Sequence, residues 1–493
     1  MLIFFCLKKY KTKNYTMIVN IEQRQGKLII SYVKKDGTLG FTQLNIPASH
    51  QYIYTYAQKG LGTPGVQSWD FKPVRKIPTQ FLSRNRIQEF FIEAGEQNTK
   101  HLFEANMPNL YGADIEVEVT DEGFADPETA RNKITAISFS RYPDITVFGL
   151  KPLSGEECKE IEDKINEHVS KFGRKYQFIY KYHKNEADML YDFLYNYVRP
   201  APLIAGWNFW NYDWRYIVNR ARKLNMDISW VSPTGQWYNH KVKDRNKDVI
   251  VLLPQHKLIV DYMAIYQKWD RTIEVKENDT LDYVAEAALD IKKVKYPGTL
   301  QELYERDYTQ FIFYSAIDSI LIELLDKKLK TMGTFLGLGN ITRVEAMSAF
   351  SPITMLEATL VRYAYQRGQV FPKREDRKER ESYEGAFVFE PIPNMYEWVA
   401  SFDFASLYPS IMRQFKLSIE NFLFKDKSYT PKENEIKAAN GAVFDSSFEP
   451  LISEILTNYY TQRKDAKKVS LNAEKEADAL KHILDERIKK SKL

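Results

Sequence analysis

Tyr111-Gly112-Ala113-Asp114-Ile115-Glu116-Val117-Glu118-Val119 is the stretch whose reading decides the fold. Apolar and acidic residues alternate with a period of two, the pattern of a half-buried strand, so Asp114 and Glu116 leave the same face. Two like charges on one sheet face repel unless a cation lies between them. The bland alternative is the exposed face of an edge strand, and the pair alone does not separate the two. TAISFSRY (135–142) and DITVFGL (144–150) continue as the second and third strands of one sheet.

Working outward, a helix is expected over 155–173 and another over 186–198, and PLIAGWN (202–208) reads as a strand running into a turn. A helix follows from Asp213, then a hairpin-like segment around 248–262, and a helix from about Phe311 to Leu329. Strands mixed with helices in this order imply an α/β domain. Upstream, VNIEQR, KLIISYV and FTQLNI are separated by Gly-containing turns and form a three-strand meander, with Met17 as a plausible true start and residues 1–16 as an appendage. Downstream, a charged run over about 374–382 reads as a linker to a second strand-rich unit, YEGAFVFEPIP and EWVASFDFASLYPSIM. Beyond about 450 the pattern is helical to the end.

The chain has 493 residues, enough for about three domains. With 70 Lys plus Arg against 65 Asp plus Glu, the net charge of +5 excludes a protein that coats nucleic acid by bulk charge. Aromatics make up 14%, enough to leave rings for stacking on bases. Cys6 and Cys158 cannot build a disulfide framework or a four-cysteine zinc site. The apolar opening Met1–Leu7 is too short for a signal segment and no stretch would span a bilayer, so the expectation is a cytoplasmic protein without a membrane partner.

Two further constellations join the first pair. Asn208-Phe209-Trp210-Asn211-Tyr212-Asp213 follows an apolar strand, where an Asp alone would read as a helix N-cap. Tyr314-Ser315-Ala316-Ile317-Asp318 puts Tyr314 and Asp318 on one helix face among aliphatics, where an Asp is costly unless paired with charge. Four carboxylates and a phenol in this order can hold two divalent ions about 3.5–4 Å apart, the arrangement that serves phosphodiester hydrolysis.

The order and spacing of these motifs resemble the three exonuclease motifs of DnaQ-like 3′→5′ proofreading domains, which have a ribonuclease H-like fold. Asp403-Phe404-Ala405-Ser406-Leu407-Tyr408-Pro409-Ser410 resembles motif A of family B DNA polymerases, and Tyr383-Glu384-Gly385-Ala386 resembles the element joining exonuclease and palm in that family. VDYMAIYQKW (260–269) and NDTLDYVAEAALDIKKVKYPG (278–298) are most like the enzymes of T-even-type tailed bacteriophages. The resemblance covers about residues 17–493. It implies a multidomain α/β protein: an N-terminal β-rich domain (17–105, completed by about 331–373), an exonuclease domain (106–330), a partial palm with motif A (374–449) and a truncated first fingers helix (450–493).

The same resemblance implies roles. Asp114, Glu116, Asp213 and Asp318 would bind two Mg²⁺ or Mn²⁺ ions in the exonuclease site, and Tyr314 would orient the attacking water. Asp403, helped by the Phe404 carbonyl, would bind the two polymerase metals. Ser406 and Leu407 would cradle the triphosphate, and Tyr408 would pack against the incoming sugar. Arg463 and Lys467 stand where family members hold the triphosphate, although a basic pair on a helix is ordinarily a solvated face. Phe209, Trp210 and Tyr212 are candidates to stack on bases, with core packing the alternative, and a hairpin near 238–257 is a candidate guide for a frayed strand. The implied partners are primer-template and single-stranded DNA and deoxynucleoside triphosphates, in the host cytoplasm for a phage-encoded protein.

The sequence departs from the family in lacking motif B (Lys-x-x-x-Asn-Ser-x-Tyr-Gly), motif C (Asp-Thr-Asp) and a thumb; Asn278-Asp279-Thr280-Leu281-Asp282 lies in the exonuclease region. Asp403 alone cannot hold a metal pair. The leading expectation is therefore the N-terminal portion of a polymerase acting with a second polypeptide that supplies the C-terminal part. The alternatives are a free-standing 3′→5′ exonuclease and a non-catalytic DNA-binding scaffold.

Overall fold

The computed structural model describes residues 18–95, 107–119, 125–244, 247–270, 277–291, 294, 296–373, 388–404 and 406–491. The readings placed on residues 1–16 and Met17, on the charged run at about 374–382 and on Tyr383–Ala386 lie outside the described residues.

The expected meander is present as β1 (Ile18–Arg24), β2 (Lys27–Val33) and β3 (Leu39–Asn45), antiparallel in that order. Leu28 and Ile30 on one face of β2 are fully buried against Phe90 and Phe91 of α1 (Arg84–Glu93). Residues 345–371 return to this region: Glu345 accepts the Ile21 N–H at 2.8 Å, and Tyr365 donates to Glu93 at 2.8 Å. Glu93 also receives both terminal nitrogens of buried Arg86 at 2.6 Å, so a long-range polar cluster fixes α1 in place.

The centre of the molecule is a six-stranded sheet. Its strands are β4 (Leu110–Val117), β5 (Ile134–Arg141), β6 (Asp144–Gly149), β7 (Gln177–Tyr182), β8 (Leu203–Gly206) and β9 (Leu258–Asp261), and their spatial order is β7-β6-β5-β4-β8-β9. β5 pairs antiparallel with both β4 and β6, whereas β7 pairs parallel with β6, and β8 parallel with both β4 and β9. Every residue of β8 and β9 is buried, as parallel strands covered on both faces require. Helix α2 (Gly155–His168) is closed at its N-terminus by a capping box of Ser154 and Glu157. The expected helix over 186–198 is α-helical only over Glu186–Asp192 (α3) and π-helical over Phe193–Val198. Helix α4 (Asp213–Lys223) follows β8, α5 (Tyr262–Trp269) follows β9, and the long helix α6 (Tyr308–Leu329) starts three residues earlier than expected because Asp307 caps it.

Two expectations are corrected. The hairpin is β10 (Trp237–Asp244) with β11 (Lys247–Pro254), and residues 258–261 are not its second arm but the edge strand β9 of the central sheet. A short apolar run bounded by turns fits either pairing, and only long-range register decides. The strands expected in VFEPIP and EWVASF do not form: residues 388–404 contain no strand among those described, and Trp398 and Phe402 are 98% and 93% exposed. A strand needs a ladder partner for its N–H and C=O groups, and the described residues supply none there. The last region instead folds as α7 (Leu407–Gln414), a small three-stranded sheet over 422–445, and one helix, α8 (Leu451–Ser491), as the helical pattern beyond 450 predicts.

Candidate active site

The alternation in β4 sends Gly112, Asp114 and Glu116 to one face, and α6 lies across that face. Gly112 permits the close approach: a Cβ there would fall on the Ser319 carbonyl oxygen and 2.6 Å from Ser140 Oγ. Ser140 Oγ in turn donates to the Ser319 carbonyl at 2.9 Å, locking α6 to the neighbouring strand β5. The apolar stripe Ile312, Phe313, Ile317, Ile320, Leu321 and Leu324 is buried, which fixes the rotation of α6 about its axis. Asp318 is thereby turned toward β4. Asp114, Glu116 and Asp318 each bring a carboxylate oxygen within 4.8 Å of the others.

Asp213 arrives from the other side of β4. Strand β8 pairs with β4 only over Leu110–Gly112, and beyond that point the Ile115 N–H donates to Asp213 Oδ1 at 3.2 Å. Asp213 is therefore not the N-cap of α4, a position held by Tyr212, but its first residue, with the carboxyl buried and aimed at the acidic strand. Burial raises its pKa far above the ordinary carboxylate range; the Ile115 N–H opposes the shift, and the charges of Asp261 and Asp318 add to it. Burial likewise raises the Tyr314 hydroxyl, helped by Asp318, Glu116 and Asp114, so it stays a protonated donor beside the cluster. The Tyr212 hydroxyl is raised by burial and then by Asp213.

Asp261 was missed by sequence reasoning because its strand was assigned to the hairpin. It ends β9 as the N-cap of α5, accepting from Met263 N–H at 3.0 Å and Ala264 N–H at 3.4 Å. It also accepts from Trp210 N–H at 3.3 Å, which ties the turn before Asp213 to the sheet. Burial pushes its pKa up to about 6. The usable signal was an apolar run ending in Asp just before a helical pattern. Phe209 and Trp210 are core residues: Phe209 is fully buried, and Trp210 donates its indole N–H to the Ile259 carbonyl at 2.8 Å. Burial excludes Phe209 as a base platform, whereas Trp210 still lines the cleft beside this turn and Tyr212 remains partly exposed. Beside this turn, a cleft of about 970 Å³ opens between Asn208 and Asn211, the hairpin residues Lys241 and Lys243, and Lys268 of α5.

The second constellation is differently placed. Asp403, Phe404, Leu407 and Tyr408 are exposed, and Ser406 takes left-handed backbone (φ 54°) just before α7. Helix α7 touches α8 through Arg413, which donates to Thr457 Oγ1 at 3.0 Å and lies over the Tyr460 ring at 4.6 Å. Arg463 and Lys467 follow Tyr460 at helical spacing on that face of α8, exposed. Among the described residues no hydrogen bond or ion pair joins them to Asp403.

Three hard oxygen donors, two from β4 and one from α6, converge on one point and make a site able to hold a metal ion. Two family models match the chain: DNA polymerase family B, exonuclease domain, over residues 77–282, and DNA polymerase family B over residues 351–493. The chain belongs to family B of the DNA polymerases and carries the family's exonuclease domain. It is 28% identical over 412 residues to the DNA-directed DNA polymerase of Escherichia phage RB69, covering 76% of this chain and 44% of the relative. It is 26% identical over 458 residues to that of Enterobacteria phage T4, covering 83% and 49%. DNA polymerase 1 of Pyrococcus abyssi matches at 28% over 274 residues, 54% of this chain and 34% of the relative. The chain thus spans about half the length of the phage relatives it matches. Among the described residues no helix is long and apolar enough to cross a membrane.

Proposed function

We propose that this chain is the N-terminal part of a phage replicative DNA polymerase and hydrolyses the 3′ end of single-stranded DNA at the site formed by Asp114, Glu116, Asp213 and Asp318. The observation that carries the reading is the convergence of Asp114, Glu116 and Asp318 within 4.8 Å from elements some 200 residues apart in the sequence. The sheet order, three antiparallel strands flanked by parallel ones, supports a ribonuclease H-like exonuclease fold. Two Mg²⁺ ions held by these carboxylates would supply the charge that activates water and stabilises the leaving 3′-oxygen. Asp114, Glu116 and Asp318 hold the acidic centre, Asp213 closes it from the α4 side, and the protonated Tyr314 hydroxyl orients the water. The cleft beside Asn208 and Asn211, with Lys241, Lys243 and Lys268 at hand for phosphates, receives the frayed strand, and the hairpin keeps it from its complement.

Nucleotidyl transfer at Asp403, with the Phe404 carbonyl, Ser406, Leu407, Tyr408, Arg463 and Lys467, needs further carboxylates and a covering palm that residues 1–493 do not supply. The exposure of Val388, Trp398, Val399, Phe402 and Phe404 supports this, since water-facing apolar side chains at that density mark a surface built to be covered. Replication in the host cytoplasm fits both halves of the proposal.

The test is release of nucleoside 5′-monophosphates from the 3′ end of a single-stranded oligonucleotide with Mg²⁺, its loss in Asp114→Ala and with EDTA, and absence of primer extension by the chain alone. Hydrolysis that survives Asp114→Ala overturns the nuclease assignment, and extension by residues 1–493 alone overturns the need for further carboxylates and a covering palm.

A further inference from the structure

His256 stands at the corner where the hairpin rejoins the central sheet, between the end of β11 and the start of β9, in left-handed backbone (φ 62°). A non-glycine residue persists there only when its surroundings hold it. The ring is fully buried and both its nitrogens meet the N-terminal meander: Nδ1 lies 2.9 Å from Ser31 Oγ of β2, and Nε2 lies 3.1 Å from Glu22 Oε2 of β1. Arg24 Nε donates to the other Glu22 oxygen at 2.6 Å, which keeps Glu22 an acceptor. With Glu22 an acceptor, the neutral tautomer that satisfies both contacts carries its proton on Nε2, toward Glu22, and accepts from the Ser31 hydroxyl at Nδ1. A Ser–His–Glu relay of this kind suggests a nucleophile, but Ser31 is fully buried and the Phe41 ring packs 5.7 Å from the imidazole, so no substrate reaches it. The group is a clamp.

The rest of the corner is pinned as well. Gln255 donates to the Gln236 carbonyl at 2.9 Å and accepts from Ser232 Oγ at 3.1 Å, and buried Lys257 donates to the carbonyls of Arg199 and Ala201. From this corner the hairpin strands run eight residues, about 26 Å at the rise of a strand. A pivot of about 5° at His256 therefore moves the far strand ends, Asp244 and Lys247, by about 2 Å.

We propose that Glu22, Ser31 and His256 are positioning residues through which the N-terminal meander sets the attitude of the hairpin over the cleft, and so governs how readily a paired 3′ end is opened for hydrolysis. The inference rests on the nuclease reading above. Ser31→Ala and Glu22→Gln in the full chain test it by two readouts: the ratio of hydrolysis on a matched duplex end to hydrolysis on the same strand alone, and backbone amide exchange over residues 237–254. The expected result is a fall of about 3- to 10-fold in that ratio, the scale of one lost hydrogen bond, with the single-strand rate unchanged and hairpin exchange accelerated. Equal losses on both DNAs, or an unchanged ratio, reduce the trio to ordinary packing and overturn the proposal. Should the unmodified chain hydrolyse neither DNA, the nuclease reading fails separately, and unchanged hairpin exchange in both variants still overturns the clamp.

Discussion

YGADIEVEV and EWVASFDF both read as strands carrying an acidic residue with metal chemistry in view, and the molecule treats them in opposite ways. The first becomes an inner strand with neighbours on both sides and a helix across one face, so Asp114 and Glu116 are fixed where Asp318 meets them. The second has no ladder partner among the described residues, and Asp403 sits on exposed chain beside Phe402 and Phe404. A catalytic carboxylate is only as well placed as the sheet beneath it. The difference lies in what surrounds each motif, since both are equally local in sequence.

The sharpest way to break this contrast is substitution of one acid in each region. Asp114→Ala is expected to lower single-strand hydrolysis by about 10³-fold, the scale of losing a charged group that acts in the transition state, while Asp403→Ala leaves it unchanged; quenched-flow release of nucleotide decides. Limited chymotrypsin digestion compares the regions without chemistry. Cleavage within 388–404 should outpace cleavage in β4 and β5 by about 100-fold or more, because exposed chain needs no unfolding to be cut, and mass spectrometry of the first fragments reads it out. Gly112→Ala tests the close packing that only the first region has. Pushing α6 off β4 should destabilise the fold by about 3 kcal/mol in urea titration and weaken Mn²⁺ binding measured calorimetrically. Gly441→Ala, next to the small sheet, should leave Mn²⁺ binding alone.

A further effect, about 3 kcal/mol at its upper bound, concerns how the N-terminal meander is attached. Burial raises the pKa of Glu345 from 4.5 to about 7, with the Ile21 N–H opposing the shift. Since the folded form holds the proton more tightly than the unfolded, this stability is fully present below about pH 4.5 and is lost as pH rises through about 7. The loss amounts to about 3 kcal/mol at most, and Glu345→Gln should flatten the dependence in thermal unfolding between pH 4.5 and 8.

Much of the candidate site was legible because its signals are local. Alternation put Asp114 and Glu116 on one face, helical spacing paired Tyr314 with Asp318, and an apolar run before Asn208 marked a strand exit. The misreadings share a cause too. LIVD at 258–261 and EWVASF at 397–402 are apolar runs whose pairing partners lie far away or are not among the described residues, and no short window contains that information. Asp261 went unnoticed for the same reason, since its importance comes from the Trp210 N–H brought to it by folding.

The amino-acid order by itself determined which side chains could do chemistry, their spacing, and the kinship with family B polymerases, because periodicity and motif are properties of neighbouring residues. Tertiary structure alone decided that three acids meet, that Gly112 lets them meet, that Asp213 faces Ile115 and does not cap its helix, and that His256 ties the hairpin to a sheet more than 200 residues earlier. Those outcomes depend on which distant surfaces bury one another, and burial is set by the whole chain at once.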